Sequence, residues 1–455
     1  MNETLQRVDA NVNTIDSTLP SIVIGPKTSH LNEEPLTTVS SALDSFLNVQ
    51  NYSTETGNTI QYLNIFESNF DLNVLSNSEE NELLKHFFTV LVPLLDANPD
   101  PPWPKVILRY CTFQVARSCF IALAFIHVHA HKLDDHSCYR KGITHLNVTL
   151  EYLIEHINQS TELCLNGNEQ EIELKDFSTS SNIILALIYV NVLFEVLEGG
   201  KSYNSRQLFR MFSTIVQNRV FSDMLLRDKN LQTIVVTLSW YDTISAIVSY
   251  DCRLPFCDTL WYSFEDDKIN TGNIMGCPAE IFTVLSKVCS LRHELKRNSN
   301  DRSNQLNDFD ALELELLAYR RYVPVDQEYP TKLKTAQCWA LAVYVVLLKT
   351  TQAEEYHAPI IKALIHEFVD LYQTIDKKHP IFLQMVWPLY VMGCECQNVK
   401  EREKIMSFVT GLQSMVHVGT LDTLQDILNL IWEKGISSQE ALHQNSSPDF
   451  DYLPL

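Results

Sequence analysis

The sequence predicts an all-α fold, a large array of about a dozen or more packed helices with a disordered N-terminal segment. Three observations support this prediction. From residue 78 onward, apolar side chains recur at the spacing of one helix face. Only 12 of the 455 residues are glycine, which disfavours a turn-rich β architecture. Strand-like alternation is weak, and no fixed repeat period indicates a solenoid.

The helices can be placed in order from their start and stop signals. Ser78 offers an N-cap with acids in the first turn, and the run Asn98–Pro102 stops the helix that follows. The polar run 297–307 is interpreted as a mobile loop. Further helices are predicted at residues 106–131, 136–157, 180–197, 203–218, 229–249, 278–297, 309–322, 330–350, 356–373, 380–396, 400–416 and 420–433.

The chain divides into three regions. Residues 1–75 are rich in Asn, Ser and Thr, and two basic residues there face nine acidic ones. Because this segment has too little apolar surface to offset the entropy of ordering, we expect it to be disordered. Residues 76–435 form the helical domain. Residues 436–455 form an acidic-hydrophobic tail.

The tail allows two interpretations. Residues 447–455 mix acids with aromatic and aliphatic side chains. Disordered activation segments use this composition, because the acids keep the large side chains exposed for a partner's groove. The alternative is a terminus that docks on its own domain.

Two Gly-Cys pairs, at residues 276–277 and 393–394, mark helix boundaries. The first pair precedes Pro278, which fits the first turn of a helix because its missing N–H costs nothing there. The second pair lies near the end of an apolar helix that we expect to be buried. In that helix Gly393 permits close approach of a neighbour, and Pro388 predicts a kink.

Charge, cysteine content and the apolar stretches of the chain predict its partners and its location. The formal charge is −21, so we do not expect this surface to bind nucleic acid strongly. Eleven cysteines are scattered through apolar segments, as reduced thiols are. No secretory signal is found, and the most apolar stretch, 183–197, is shorter than a membrane span. We expect a location in the cytosol or the nucleus and no membrane partner.

The densest group of potential metal ligands lies at the end of a predicted helix. On that helix His127 and His131 share a face, at a spacing that can bind zinc, whereas His129 does not join them. His136 and Cys138 follow closely. The pair lacks the intervening Glu of a metalloprotease motif, and histidines at a helix end can instead satisfy its last carbonyls. We therefore predict no metal site.

Cysteine pairs and sequence motifs do not predict catalysis either. Cys252 and Cys257, like Cys394 and Cys396, lack the spacing of a zinc knuckle. The sequence contains no phosphate-binding Gly-rich loop, no nucleophile elbow and no dinucleotide fingerprint. We predict no catalytic residue, no cofactor and no enzymatic activity.

Four tryptophans, Trp240, Trp261, Trp339 and Trp387, allow two interpretations. They could line a cavity for a small-molecule effector. Aromatic residues at helical spacing are more often plain core, and this is the interpretation that we favour.

A series of short motifs spans roughly residues 78–435. The motifs are Leu83–Phe87, Pro93–Leu95, Ala122–His127, Leu238–Asp242 with Ala246, Leu254–Phe256, Met275–Glu280, Trp387–Leu389, Gly393–Glu395, Arg402 and Ile431–Trp432. In this order and spacing they resemble the fungal-specific transcription factor domain of zinc-cluster regulators, in the branch related to arginine, lysine and GABA pathway activators.

The resemblance implies a nuclear regulatory domain that controls RNA polymerase II transcription through contacts with the transcription machinery or with co-regulator proteins. It makes a homo- or heterodimer and a small-molecule effector candidates for further partners. Such regulators normally begin with six cysteines that bind two zinc ions, whereas the first cysteine here is Cys111. DNA binding is therefore expected only through a module missing from this chain.

Two other hypotheses remain open at this point. The first is a non-catalytic helical scaffold subunit of a nuclear complex, such as a kinetochore-type relative of the same family. The second is an uncharacterised enzyme, for which the discriminating observation is a pocket of convergent, desolvated polar groups.

Overall fold

A computed structural model of the chain describes residues 78–96, 101–131, 136–166, 171–202, 204–217, 228–257, 271–297, 302–322, 330–350, 354–443 and 451–454. The predicted all-α fold is confirmed, because these residues are almost entirely helical. The segment 1–75, for which disorder is predicted, lies outside the described residues.

The helices follow one another along the chain, and two very short strands accompany them. They are α1 Ser78–His86, a π-helical turn Phe87–Leu91, α2 Val92–Leu95, α3 Trp103–Tyr110, α4 Phe113–His131, α5 His136–Asn166, α6 Glu171–Glu198, β1 Lys201–Ser202, α7 Ser205–Val216, α8 Lys229–Val248, α9 Thr271–Ile274, α10 Ala279–Arg297, α11 Arg302–Tyr322, α12 Pro330–Thr350, α13 Glu354–Tyr372, a 3-10 helix Pro380–Met385, α14 Val386–Glu395, α15 Val399–Val416, α16 Gly419–Lys434, α17 Ser438–His443 and β2 Asp451–Tyr452.

Caps fix where several helices begin and end. The Asp228 carboxylate precedes α8 and accepts hydrogen bonds from the N–H groups of Asn230 (3.0 Å) and Leu231 (3.4 Å). Asn398 caps α15 in the same way. At the end of α16, Gly435 adopts a left-handed backbone conformation and stops the helix.

Helix α8 and the part of α6 from residue 180 onward are buried on nearly all sides. Residues 231–248 of α8 and 180–194 of α6 are all buried. Helices α4 and α5 pack with α6, α10 packs with α8 and α12, and α14 packs with α12, α15 and α16. The buried apolar side chains of these helices form one continuous core.

The predicted helix 106–131 is wrong in one respect, because the chain forms two helices there, α3 and α4. Between them Cys111 has an extended backbone, with ψ of 154°. Thr112 then starts α4: its carbonyl accepts the Ala116 N–H at 2.9 Å, and its hydroxyl lies 3.5 Å from the Val115 N–H. Thr112 is thus a helix start signal inside an otherwise continuous apolar pattern.

The interpretation of residues 297–307 as a mobile loop is wrong in part, because α11 begins at Arg302. Along this helix Phe309, Leu312 and Leu316 are buried, and the helix packs against α10 and α12. The polar residues before Phe309 extend the same helix. A polar composition does not by itself separate a solvated helical turn from a loop.

Pro388 does not kink a long helix. The predicted helix 380–396 begins as the 3-10 segment, and α14 starts only at Val386. Pro388 therefore lies in the first turn of α14, where a missing N–H breaks no helical hydrogen bond.

The two Gly-Cys pairs lie at the predicted boundaries. Gly276 precedes α10 with φ of 68°, and a Cβ there would lie 3.0 Å from Cγ2 of Ile381. Gly393 lies in α14, and a Cβ there would lie 2.6 Å from Cδ2 of Leu428 in α16. The missing side chains let these two segments approach their neighbours closely.

Candidate functional site

A buried ionic cluster connects α7, α8 and the tail. Arg253, just after α8, donates from Nη1 to Oδ1 of Asp242 (2.7 Å) and from Nη2 to Oδ2 of Asp451 (2.9 Å). Arg206 in α7 donates from Nε to Oδ1 of Asp451 (2.8 Å), and both of its Nη atoms lie 3.0 Å from the Asp251 carboxylate. Because Asp242 and Asp451 are fully buried, their charges depend on these arginines.

The segment that follows α8 folds around Asp242. The Oδ2 atom of Asp242 accepts hydrogen bonds from the backbone N–H groups of Phe256 (2.5 Å) and Cys257 (3.1 Å). The guanidinium carbon of Arg253 lies 4.6 Å from the centroid of the Phe256 ring, a cation–π contact. One carboxylate on a buried helix therefore fixes both the loop and the arginine that reaches the tail.

The tail occupies a slot beside this cluster. Strand β2 pairs antiparallel with β1, so that Lys201 faces Tyr452. The Leu453 N–H donates to the Gly200 carbonyl (2.8 Å), and the Thr420 hydroxyl donates to the Leu453 carbonyl (2.7 Å). We call the surface that receives the tail the tail slot. The tail slot consists of Gly200, Lys201, Ser202, Arg206, Arg253 and Thr420.

Of the two interpretations of the tail, the docked one describes residues 451–454. Asp451 and Leu453 have no exposed surface, and Tyr452 is 1% exposed. The first part of the region 436–455 is ordered as well, because Ser437 and Glu440 form a capping box at the start of α17. Residues 444–450 lie outside the described residues.

Glu195 of α6 lies next to the tail slot. Burial, together with the neighbouring Glu198 and Asp451 carboxylates, raises the pKa of its carboxyl to about 8. Part of the residue contacts solvent, but its Oε2 atom is enclosed, so the raised pKa follows from the position of the carboxyl. At neutral pH Glu195 is therefore mostly protonated and adds little charge to the cluster.

The histidines singled out from the sequence do not form one group. His127 is fully buried, with its Nδ1 atom 2.9 Å from Nε2 of His86 and its Nε2 atom 2.9 Å from the Val416 carbonyl. His129 packs against aromatic rings of α5 instead. The side chain of His131 lies outside the described residues. Within the part of the chain that the structure describes, no group of three or more His, Cys, Asp or Glu side chains could hold a metal ion.

The cysteines of the described residues are free thiols, and nearly all are buried. Burial raises the pKa of the Cys277 thiol well above its ordinary value, and it raises that of Cys111 to about 12. These thiols stay protonated at physiological pH, so they pack as small apolar groups and are poor nucleophiles.

Three of the four tryptophans form core. The ring of Trp339 stacks parallel to that of Trp387, with centroids 5.0 Å apart, and lies edge-on to Trp240 at 4.8 Å. All three are at most 1% exposed. The core interpretation is therefore confirmed for them, while Trp261 lies outside the described residues.

A shallow cavity opens where α10 begins, facing α12. It is lined by Gly272, Gly276, Pro278, Ala279, Glu280, Lys332 and Ala336. The lining is small side chains with one acid and one base, and it lacks the large apolar walls of a typical effector pocket.

Comparison with known families connects these features. A model of the fungal-specific transcription factor domain matches residues 62–442. The chain belongs to this family. The match covers the whole set of described helices from α1 to α16 and most of α17, and the family is one of transcription regulators. No curated protein and no solved structure matches the chain.

Among the residues that the structure describes, three helices of this fungal-specific domain have the length and apolar composition that a membrane span needs. They are residues 113–130, 179–198 and 229–248, and 72%, 94% and 100% of these windows are buried within the protein. The expectation that the apolar stretch around 183–197 is too short is thus wrong on length. Its apolar side chains contact other helices of the domain.

The ionic cluster is the feature that sequence reasoning missed. Asp242 and Arg253 were available as signals, because they lie in or next to the family motifs 238–242 and 254–256. What the sequence could not show is that Asp451, 198 residues after Arg253, completes the cluster.

Proposed function

We propose that this chain is the regulatory domain of a fungal zinc-cluster type transcription regulator, which controls RNA polymerase II transcription in the nucleus through protein contacts. The observation that supports the proposal is the family match over residues 62–442. The helical core and the family motifs within it agree with such a role. The proposal includes no enzymatic activity.

Charge supports contacts with proteins rather than with DNA. The formal charge of −21 repels a phosphate backbone, so we propose that DNA is reached only through a separate module. The partners proposed are the transcription machinery, co-regulator proteins, and a second zinc-cluster regulator in a homo- or heterodimer.

A tethering experiment tests this function. The full chain, residues 1–455, is fused to a neutral DNA-binding module in a fungal host that carries a reporter gene with the matching site. We expect reporter transcription to change severalfold relative to the module alone. Fusions of residues 1–75 and of residues 436–455 then show which end acts.

The control is the same fusion with Trp387→Ala, which keeps the sequence of both terminal segments but removes a buried core side chain. It tests whether the change in transcription needs the intact helical core. A full chain that is folded, enters the nucleus and leaves transcription unchanged would contradict the proposal. That outcome would instead favour the non-catalytic scaffold as the function of the domain.

A further inference from the structure

We propose that the tail slot is a reversible binding site for an extended acidic–aromatic peptide, and that its occupant is this chain's own segment 451–454. In this view the segment leaves and re-enters the slot while the helical domain stays folded. The inference goes beyond the proposed function and does not depend on it.

The backbone contacts are those of strand addition. The pairing of β1 with β2, the Leu453 N–H bond to Gly200 and the Thr420 bond to the Leu453 carbonyl hold the main chain of an extended peptide. The Tyr452 hydroxyl also donates to the Thr420 carbonyl, at 3.1 Å. These hydrogen bonds hold the main chain and the Tyr452 hydroxyl of the segment, although the sheet has only two strands.

Gly200 shows that the tail slot is shaped for this main chain. Gly200 has φ of 68°, and a Cβ there would lie 2.6 Å from the Leu453 carbonyl oxygen and 2.7 Å from the Thr420 hydroxyl. Only a residue without a side chain lets the peptide approach so closely.

The side chains provide selectivity for an acid followed by an aromatic residue. The two oxygens of the buried Asp451 carboxylate are shared between the Arg206 and Arg253 guanidiniums. The ring of Tyr452 packs beside that of Tyr390, with centroids 5.6 Å apart.

The charge balance of the cluster allows the segment to leave. Each arginine has a second carboxylate that does not belong to the tail, Asp251 for Arg206 and Asp242 for Arg253. After departure of Asp451, two guanidiniums still face two carboxylates, so neither arginine is stranded. With the segment bound, three carboxylates share two guanidiniums. A buried charge whose removal left its partners unpaired would be held far more firmly.

Hydrogen exchange on the intact full chain tests reversibility. We expect the tail segment to exchange at least tenfold faster than α8, with a rate that depends little on low concentrations of denaturant. Equal rates and equal denaturant dependence for the tail and α8 would show that the segment opens only when the whole domain unfolds, and would overturn the proposal.

Peptide exchange tests selectivity. A protease site is inserted between His443 and Asp451, so that the full chain folds first and is cut afterwards. Unlabelled peptides of residues 444–455 then compete with the cut, fluorescently labelled tail. We expect the Asp451→Asn peptide to compete at least tenfold less well than the natural sequence, because it loses the charge-assisted hydrogen bonds to both arginines.

The matched control is the Asp449→Asn peptide, which removes the same charge two residues earlier. We expect it to compete within about threefold of the natural peptide, since the proposal places the selective carboxylate at Asp451. Equal losses from Asp451→Asn and Asp449→Asn, or no exchange of the cut tail, would overturn the proposal. Neither measurement reads transcription, so a failure here is separate from a failure of the proposed function.

Discussion

The Nε2 atom of His86 lies 2.9 Å from Nδ1 of His127, and the rings of these two buried residues are stacked with centroids 5.2 Å apart. On its other side His127 places Nε2 2.9 Å from the Val416 carbonyl. Because a carbonyl only accepts, His127 carries its proton on Nε2, so its Nδ1 accepts from His86. These two hydrogen bonds connect α1, α4 and α15, and both imidazole rings are neutral in this arrangement.

Acid is expected to destabilise the protein through this pair. Burial lowers the pKa of His86 well below its ordinary value and that of His127 to about 4. Between pH 6.5 and 4 the unfolded chain binds protons that the folded state does not. The free energy of unfolding therefore decreases as the pH is lowered through this range. For His127 alone the loss is about 3 kcal/mol.

Denaturant unfolding at pH steps from 7.5 to 4 measures this effect. Replacing both histidines with leucine should flatten the slope, because the two buried rings that resist protonation are then absent. A slope that persists in the double leucine variant would assign the pH dependence to other groups.

The tryptophan stack is expected to carry a large share of core stability. Trp387→Ala should lower the free energy of unfolding by about 3–5 kcal/mol, since it removes a fully buried ring and leaves a cavity. Tyr356→Ala removes an aromatic ring that is 76% exposed, and should change stability by less than about 0.5 kcal/mol. Comparable losses in the two variants would contradict the assignment of Trp387 to the core.

Two helical glycines should respond to alanine in opposite directions. Gly393→Ala places a methyl group against Leu428, and should destabilise by about 1–3 kcal/mol through overpacking. Gly411→Ala, inside α15, meets no atom within 4 Å and should stabilise by about 0.5–1 kcal/mol through helix propensity. Chemical denaturation of both variants gives the sign, and a stabilising Gly393→Ala would rule out the close contact.

Removal of a guanidinium from the ionic cluster should be costly. Arg253→Gln leaves two fully buried carboxylates, Asp242 and Asp451, short of a partner, and should cost about 3–5 kcal/mol. Arg109→Gln breaks a pair with Asp228 in which the arginine side chain is 65% exposed, and should cost less than about 1 kcal/mol. Similar melting temperatures for the two variants would be inconsistent with a buried cluster.

Helix positions could be predicted because their signals are local. The predicted helix 330–350 matches α12, and the prediction 229–249 exceeds α8 by one residue. In both cases a cap or proline stands beside an apolar run. The interruption at Cys111 between α3 and α4 could not be predicted from periodicity, because apolar residues continue on both sides of it. Only Thr112 marks the start of α4.

The tail slot could not be predicted because it depends on distant pairing. Arg206 and Asp451 are 245 residues apart, and each strand of the β1–β2 pair is only two residues long. Alternation needs a longer run to be visible. The composition of the tail was visible, but whether such a segment docks is decided by the shape and charge of the slot.

The parallel stack of Trp339 on Trp387 has a practical consequence for spectroscopy. The fold holds the two indole rings in one fixed arrangement, with parallel planes and centroids 5.0 Å apart, inside an asymmetric packed core. The native protein should therefore carry a near-ultraviolet circular dichroism band that vanishes when α12 and α14 separate. Core integrity can be followed by that band without any label.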